Sequence, residues 1–362
     1  MFGNDIAMDL GTATILIFVK GKGIVLNEPS VVAQNRETGK IESVGTEAQR
    51  MIGRTPGNIV ATRPLRDGVI SDYEVTQKMI KEFIRKVCGF SLVKPRLAVC
   101  VPSGITEVEE RAVLDAGIQA GARQVYIIEE PIAAAIGAGI DIWKPNGNMV
   151  IDMGGGTTDT LVYVNGSPFS YHSIPAGGTQ VTSDISILKN ISMDNAEKIK
   201  IDAGCCWEQL MESDEFVIVP GVGGRPPVSI PRMHIMGIIK PRLEEIFKMV
   251  RQHIDSLNLS RNLGGGVVLT GGGAQLTGVT ELAGHILGLP ARLGSPIPCR
   301  ELEGLVEDYR TPSYATAVGL VLEGAKRSGI EVSEENPEIY TGDKNNKNIV
   351  KKFTEWLTGE FF

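Results

Sequence analysis

The stretch Asp152-Met153-Gly154-Gly155-Gly156-Thr157-Thr158-Asp159, which joins the apolar runs 148–153 and 160–164, decides the fold. Both runs have strand length and composition, so the stretch predicts a strand, a glycine-rich turn and a second strand. Glycines let backbone N–H groups approach phosphate oxygens without interference from a Cβ atom. Threonines add hydroxyl donors, and an aspartate at a strand end suits Mg²⁺ held through water. The pattern therefore predicts a phosphate-binding turn.

Two more glycine-rich turns follow apolar strands elsewhere in the chain. Asp9-Leu10-Gly11-Thr12-Ala13 ends the run 6–10, and Thr270-Gly271-Gly272-Gly273-Ala274 ends the run 266–270. One such turn alone is equally typical of a β-hairpin or bulge. Three in this order, with matching aspartates, indicate a shared phosphate-binding role. None fits GxGxxG or GxxxxGK[ST], which excludes the Rossmann and P-loop patterns.

The other segments alternate between strand and helix patterns, which predicts an α/β protein. The capping-box pair Thr106 and Glu109 marks one helix start. The strand–DxG–strand unit occurs at 6–19 and again at 149–164, which indicates two related α/β lobes. The remaining predicted strands are 15–19, 24–26, 30–33, 96–101 and 125–128, and the predicted helices are 76–87, 106–120 and 131–138.

Composition narrows the classes of function. The chain has 362 residues, 42% of them hydrophobic and 22% charged, which suits two large lobes. Its net charge of −7 argues against non-specific nucleic-acid binding. Five cysteines without CxxC spacing suggest neither a disulfide framework nor a zinc site. The sequence shows neither a signal peptide nor an apolar stretch near the ~18 residues of a transmembrane helix, so we expect a cytoplasmic protein.

The three turns together resemble the phosphate 1, phosphate 2 and adenosine motifs of the superfamily that contains actin, heat-shock chaperones and sugar kinases. DLGTATILIFVKGKGIVLNEPSVVA, GRTPGNIVATRPLRDGVISDYEVT, CVPSGITEVEERAVLDAGIQAGA and IIEEPIAAAIGAG resemble the bacterial cell-shape actin MreB, over roughly 1–150. The second half, with NGSPFSYHSIPAGGTQVTSDIS, VPGVGGRPPVSIPR and the C-terminal KFTEWLTGEFF, is more similar to the division protein FtsA.

This resemblance implies an actin-like fold of two lobes, each built on an RNase H-like sheet with helices, and a nucleotide in the cleft between them. It also implies the following division: subdomain IA at 1–32, 66–147 and 311–328, IB at 33–65, IIA at 148–183 and 262–310, IIB at 184–261, a flexible linker at 329–346 and an amphipathic membrane-binding helix at 347–362.

The resemblance further implies ATP and Mg²⁺ as ligands. Asp9 and Asp152 would hold Mg²⁺ through water and, with Glu130, form the catalytic set, in which Glu130 positions the attacking water. An acidic residue at position 130 is equally typical of a helix N-terminus. The nucleotide contacts would come from Gly11, Thr12, Ala13, Gly154, Gly155, Gly156, Thr157, Thr158, Glu197, Lys200, Gly271, Gly272 and Gly273.

Three points leave alternatives open. Glu197 and Lys200, three residues apart, could instead be a solvated surface pair. MreB has Asn-Thr where this chain has Thr14-Ile15, which puts the rate of hydrolysis in doubt. Gly178 replaces an aspartate of MreB and agrees with FtsA.

The C-terminal stretch KNIVKKFTEWLTGEFF has the periodicity of an amphipathic helix. Such a helix, behind a polar linker, suits an interfacial membrane anchor, although it could also dock on its own protein body. The hydrophobic pair Leu92-Val93 is either a second membrane contact or a buried loop. The apolar face comprises Ile349, Val350, Phe353, Trp356, Leu357 and Phe361.

We therefore expect a protein that binds ATP and forms filaments on the inner face of the cytoplasmic membrane, where it scaffolds cell shape, division or a related process. It would be a slow ATPase. Its partners would be other copies of itself, the membrane, and cell-wall synthesis proteins or a tubulin-like division protein. One alternative is an FtsA-like ATP-binding adaptor that does not polymerise. A small-molecule kinase on the same fold is another.

Overall fold

The computed structural model describes most of the chain in two compact units. Residues 140–295 form unit 2, and the described residues before and after them form unit 1. Cys100, Cys205 and Cys206 are buried. The predicted subdomain bounds stay predictions. The described residues are 6–11, 13–19, 22–53, 57–66, 69–88, 94–103, 105–140, 147–211, 215–221, 226–259, 263–296 and 309–327.

Strands and helices alternate along the chain, as the sequence patterns predict. The strands are β1 (Ile6–Leu10), β2 (Thr14–Val19), β3 (Gly23–Pro29), β4 (Val32–Asn35), β5 (Ile41–Val44), β6 (Ile59–Thr62), β7 (Leu65–Arg66), β8 (Val69–Ile70), β9 (Arg96–Val101), β10 (Gln124–Glu129), β11 (Asn148–Met153), β12 (Thr158–Val164), β13 (Ser167–Ile174), β14 (Phe216–Val219), β15 (Val228–Pro231), β16 (Val267–Thr270) and β17 (Ala291–Leu293). The helices are α1 (Thr46–Met51), α2 (Tyr73–Cys88), α3 (Glu107–Gln119), α4 (Glu130–Gly137), α5 (Gly178–Lys189), α6 (Met193–Ala203), α7 (Arg232–Ser256), α8 (Val279–Leu287) and α9 (Ala315–Arg327).

Two helix starts show how local side chains set the boundaries. Thr106 caps α3 in the predicted capping box with Glu109. Helix α2 begins three residues before the predicted start, because Asp72 accepts a hydrogen bond from the Val75 N–H at 3.0 Å. The cap satisfies an N–H group that the first turn leaves without an intrahelical partner.

Each unit contains a five-stranded sheet, and the two sheets have the same topology. In unit 1 the order is β10-β9-β1-β2-β3, and in unit 2 it is β17-β16-β11-β12-β13. In both, three consecutive antiparallel strands are followed by two strands that pair in parallel. The internal repeat predicted from the two strand–DxG–strand units is thus confirmed. In both sheets the Asp-containing turn lies at the carboxyl end of the first strand.

Helices α4 and α9 pack against each other in unit 1 at unusually short range. A Cβ atom added at Gly319 would lie 2.7 Å from the Ala133 carbonyl carbon, and one at Gly137 would lie 2.5 Å from the Ala315 carbonyl carbon. Real Cβ atoms essentially never approach that closely. Because Glu130 is the first residue of α4, this packing also fixes the start of the helix that carries a candidate site residue.

Helix α7 packs one apolar face against the core of unit 2, with Ile239, Leu243 and Phe247 among the buried residues. It has 25 residues, and none of the helices in the described ranges is long and apolar enough to cross a membrane. Near its C-terminal end His253 stacks on His172 of β13, with ring centroids 4.4 Å apart. Burial, and then the charge of His172, lower the pKa of His253.

This histidine makes stability depend on pH. Because the folded-state pKa lies below the unfolded value of 6.5, the unfolded chain binds the proton more readily as the pH falls. The contribution of His253 is therefore complete above that value and is lost as the pH drops through the folded-state pKa. We expect the melting temperature to fall as the pH drops below about 6.5, and His253→Gln to reduce that fall. His234→Gln, at an exposed position on the same helix, should leave the fall in melting temperature unchanged. Equal effects of the two variants would contradict the assignment of this pH dependence to His253.

Candidate functional site

The first Asp-containing turn lies in unit 1 between β1 and β2. Asp9 is 9% exposed and pairs with Leu16 across the hairpin. A Cβ atom at Gly11 would lie 2.5 Å from the Thr14 carbonyl oxygen, so the turn requires glycine there. Ala13 accepts a hydrogen bond from the Ser30 N–H at 3.0 Å. Thr12 lies outside the described residues.

The Thr14-Ile15 substitution has a simple structural outcome. Ile15 is fully buried in the core of unit 1, whereas Thr14 is exposed. The isoleucine therefore fills the core, and the exposed position of the pair still carries a hydroxyl group.

Two adjacent carboxylates lie where β10 meets α4. Glu129 ends the strand and accepts a hydrogen bond from the Ser103 hydroxyl at 2.6 Å. Glu130 is half-buried in the first turn of α4, followed by Pro131. An acid at this position is stabilised by the helix dipole, and the role of Glu130 in positioning water stays a prediction.

The second turn, in unit 2, is fixed by the N-terminus of α5. The carbonyl oxygens of Gly154 and Gly155 accept hydrogen bonds from Gly178 N at 2.9 Å and Thr179 N at 2.7 Å. Within the described part of the chain the N–H groups of Gly155 and Gly156 have no acceptor. A loop whose carbonyls are occupied and whose N–H groups are available suits an anion such as phosphate.

Gly177 makes this contact between loop and helix possible. Its Cβ atom would lie 2.5 Å from Gly154 O and 2.8 Å from Thr157 O. Gly177 was not predicted as a site residue, although the Gly177-Gly178 pair soon after the strand 167–174 is a signal that could have shown it.

Both threonine hydroxyls of the second turn donate to acceptors within unit 2. Thr157 Oγ1 donates to Asp159 Oδ2 at 2.7 Å, and Thr158 Oγ1 donates to the Ala176 carbonyl at 2.8 Å. Each hydroxyl has a single hydrogen, so in this arrangement that hydrogen is taken by a protein acceptor, whereas the sequence predicts a donor to phosphate. The prediction that Thr157 and Thr158 contact the nucleotide stays a prediction.

Glu197 and Lys200 form an ion pair on α6, 2.8 Å apart. Lys200 Nζ also donates to the Gly178 carbonyl at 3.0 Å and to Thr182 Oγ1 at 2.9 Å. The Lys200 side chain is only 12% exposed and Glu197 is 44% exposed. The pair is therefore a link between α6 and the first turn of α5, which excludes the alternative of a merely solvated surface pair. Thr182, which accepts a hydrogen bond from Lys200, was not predicted as part of this link.

The third turn, Gly271–Gly273, packs on the end of β11. Gly271 has φ +82°, and its Cβ atom would overlap the Asp152 carboxylate. At Gly273 a Cβ atom would lie 3.0 Å from Met153 O. Gly272 between them is exposed. The turn thus lies against the buried Asp152, which is 6% exposed, and unit 2 brings the second and third predicted turns together.

Several predicted residues lie outside the described part of the chain. They are the hydrophobic pair Leu92-Val93, the linker 329–346 and the membrane-binding residues Ile349, Val350, Phe353, Trp356, Leu357 and Phe361. These predictions stay predictions.

Comparison with known proteins agrees with this geometry. A family model described as MreB/Mbl protein matches residues 3–301. The chain is 42% identical over 316 residues to the cell shape-determining protein Mbl of Bacillus subtilis, covering 83% of this chain and 94% of that protein. It is 40% identical over 322 residues to the cell shape-determining protein MreB of Escherichia coli, covering 83% and 91%.

Solved structures give the same fold. MreB5 of Spiroplasma citri bound to ADP superposes with a TM-score of 0.72 at 28% identity, covering 91% of this chain and 99% of that one. A MamK double helical filament superposes with a TM-score of 0.66 at 18% identity, which shows the shared fold alone.

The family match also tests the predicted division of the chain. It continues through the second half to residue 301, so the comparisons do not support an FtsA-like second half. With the family model and relatives at 40% identity or more covering most of its length, the chain has the predicted actin-like fold and belongs to the MreB/Mbl family.

Proposed function

We propose that this protein binds ATP and polymerises into filaments that take part in determining cell shape. The observation that carries the proposal is its 40–42% identity to proteins named as cell shape-determining, over 91–94% of their length. A relative of the same fold is solved with ADP and with AMPPNP. The twofold repeat of an Asp-containing turn supports a ligand that has both phosphates and a cation.

Each unit carries groups that suit such a ligand. The N–H groups of Gly155 and Gly156 are available to phosphate oxygens, and Gly271–Gly273 would lie along the ribose and α-phosphate. Asp9 and Asp152 are buried carboxylates at strand ends, and oxygen ligands of this kind hold Mg²⁺ through its water shell. When bound, Mg²⁺ would offset the charge of the phosphates. Lys200 and Glu197 would support the adenosine side through α5.

Glu130 is the residue that we propose positions the attacking water. Phosphoryl transfer depends mainly on placement and charge, so one carboxylate can orient water. We expect Glu130→Gln to lower single-turnover ATP hydrolysis by about 10²-fold and to change nucleotide affinity less than about threefold. The adjacent Glu129→Gln is the matched control, because Glu129 is engaged by Ser103. Equal losses in the two variants would contradict the role of Glu130.

We also propose that residues 347–362 attach the filament to the inner face of the cytoplasmic membrane. If helical, the segment would place six large apolar residues on one face, with Lys347, Lys351 and Lys352 off that face. One such helix binds weakly, but a filament presents many copies, so attachment is strengthened by avidity.

Truncation tests this attachment. We expect the full chain with ATP and Mg²⁺ to co-sediment with anionic liposomes, and a chain ending at Gly329 to form filaments that stay off the liposomes. A matched full-length variant, Trp356→Glu with Phe353→Glu, should behave like the truncation. Undiminished liposome binding by both variants would place the membrane contact elsewhere.

The resemblance of the tail KFTEWLTGEFF to FtsA favours a second candidate, a membrane-bound adaptor that binds ATP without polymerising. Its partners would be division or cell-wall synthesis proteins. Electron microscopy of ATP-bound samples separates the two, since the adaptor would remain monomeric at concentrations where a filament protein assembles.

A further inference from the structure

Three side chains of unit 2 are linked by hydrogen bonds from the second glycine-rich turn to strand β13. Thr157 donates to one oxygen of the Asp159 carboxylate at 2.7 Å, and Tyr171 of β13 donates to the other oxygen at 2.7 Å. Thr157 and Asp159 are each 5% exposed. Both carboxylate oxygens therefore have a hydroxyl donor, and the orientation of Asp159 is fixed from two sides.

This arrangement decides the polarity of Thr157 Oγ1. A carboxylate only accepts hydrogen bonds, so the single hydroxyl hydrogen of Thr157 is held by Asp159. The free side of the oxygen then offers lone pairs alone. Phosphate oxygens at neutral pH also offer lone pairs, so they cannot pair with it. A water molecule can, because it brings its own hydrogens.

We propose that Asp159, steadied by Tyr171, is a positioning residue that keeps Thr157 Oγ1 as a pure hydrogen-bond acceptor for water at the phosphate-binding turn. Asp159 acts through Thr157 and does not itself touch the nucleotide. This inference rests on the proposed ATP hydrolysis. Without Asp159 the Thr157 hydroxyl can rotate, donate to a phosphate oxygen and release the water from its place.

The strand register explains why Asp159 is available for this task. Asp159 lies directly opposite Asp152 across β11 and β12, so both side chains project from the same face of the sheet. Two facing carboxylates repel each other unless each is compensated. The two hydroxyl donors stabilise the charge of Asp159 locally, while Asp152 faces the third glycine turn.

A competing view is that the three groups simply tie β12 to β13. The two views differ in what they predict for kinetics. A structural tie would lower stability and affect nucleotide affinity together with turnover. A positioning role lowers the rate of hydrolysis while affinity is kept, and it depends on the hydroxyl of Thr157.

The test is a double-mutant cycle in the full chain, with Asp159→Asn, Thr157→Val and the pair, measured by single-turnover ATP hydrolysis, ATP affinity and melting temperature. The amide cannot accept from both hydroxyls, so we expect Asp159→Asn to slow hydrolysis about tenfold, as loss of one net hydrogen bond would. ATP affinity should change less than about twofold, and Asp159→Asn should have almost no further effect once Thr157 is valine.

Tyr171→Phe provides a milder variant in case Asp159→Asn fails to fold. It keeps the Thr157–Asp159 hydrogen bond and should slow hydrolysis about threefold, because only the second support is lost. Tyr73→Phe is its control, since the Tyr73 hydroxyl has no hydrogen-bond partner among the described residues. This control should hydrolyse ATP at the rate of the unchanged chain.

The outcomes separate this inference from the proposed function. Normal turnover of the unchanged chain, with turnover unaffected in Asp159→Asn and Tyr171→Phe, overturns the inference alone. Additive losses in the double variant, or parallel losses of affinity and rate, also overturn it in favour of the structural tie. If the unchanged chain has no ATP turnover, the proposed hydrolysis fails and the inference fails with it.

Discussion

Replacement of Gly319 by alanine is expected to lower the free energy of unfolding of unit 1 by about 3 kcal/mol or more. The added methyl group would lie 2.7 Å from the Ala133 carbonyl carbon and overlap its oxygen. The neighbouring atoms are helix backbone, which cannot rotate away as a side chain can. Helices α4 and α9 must therefore separate, and Glu130 at the start of α4 should be displaced with them.

Gly237→Ala is the matched control for this prediction. Gly237 also lies inside a helix, α7, but a Cβ atom there has no neighbour within 4 Å. Alanine should raise stability at this position by about 0.5–1 kcal/mol, because it restricts the unfolded chain and suits a helix better than glycine. Hydrogen exchange, resolved along the chain, compares the two variants. Faster exchange at 130–137 is expected only for Gly319→Ala. Unchanged exchange there would contradict the close packing.

Replacement of Gly271 by alanine is expected to weaken ATP binding by about 100-fold or more, equivalent to about 2.7 kcal/mol. Two effects add. The residue has φ +82°, a conformation that alanine rarely adopts, and its methyl group would overlap the Asp152 carboxylate and lie 2.6 Å from Met153 O. The substitution therefore displaces the third turn and the candidate metal-holding carboxylate at once.

Gly264→Ala is the control for the effect on nucleotide binding. Gly264 precedes β16 in the same unit, and a Cβ atom there would meet open space. Its ATP affinity, measured by titration with a fluorescent ATP analogue, should equal that of the unchanged chain. Melting curves of both variants show whether Gly271→Ala remains folded. A folded Gly271→Ala protein with normal affinity would remove the third turn from the candidate site.

The sequence predicted those parts of the fold that local signals determine. The predicted hairpin between the runs 148–153 and 160–164 was confirmed, with the second strand beginning two residues earlier, at Thr158. The same holds for the capping box at Thr106. Such features depend on neighbours within a few residues, which a single sequence displays directly.

Other features depend on contacts that sequence spacing does not display. The Thr158 hydroxyl was expected to face a phosphate, yet it bonds to the carbonyl of Ala176, 18 residues away. The Thr14-Ile15 pair was expected to bear on hydrolysis, yet the Ile15 side chain lies in the core. Lys200 bonds to Gly178 on another helix. In each case the side chain could adopt more than one orientation, and tertiary packing determines which one it takes.

The measurement that tests the central claim most directly is negative-stain electron microscopy of the purified full chain with ATP and Mg²⁺, beside a nucleotide-free sample and the Gly271→Ala variant at the same concentration. Proposed filament formation coupled to ATP predicts filaments in the first sample and few or none in the other two. Filaments of equal length and number in all three would contradict a role for ATP in assembly, and a monomeric protein that still binds ATP in the first sample would contradict the filament itself.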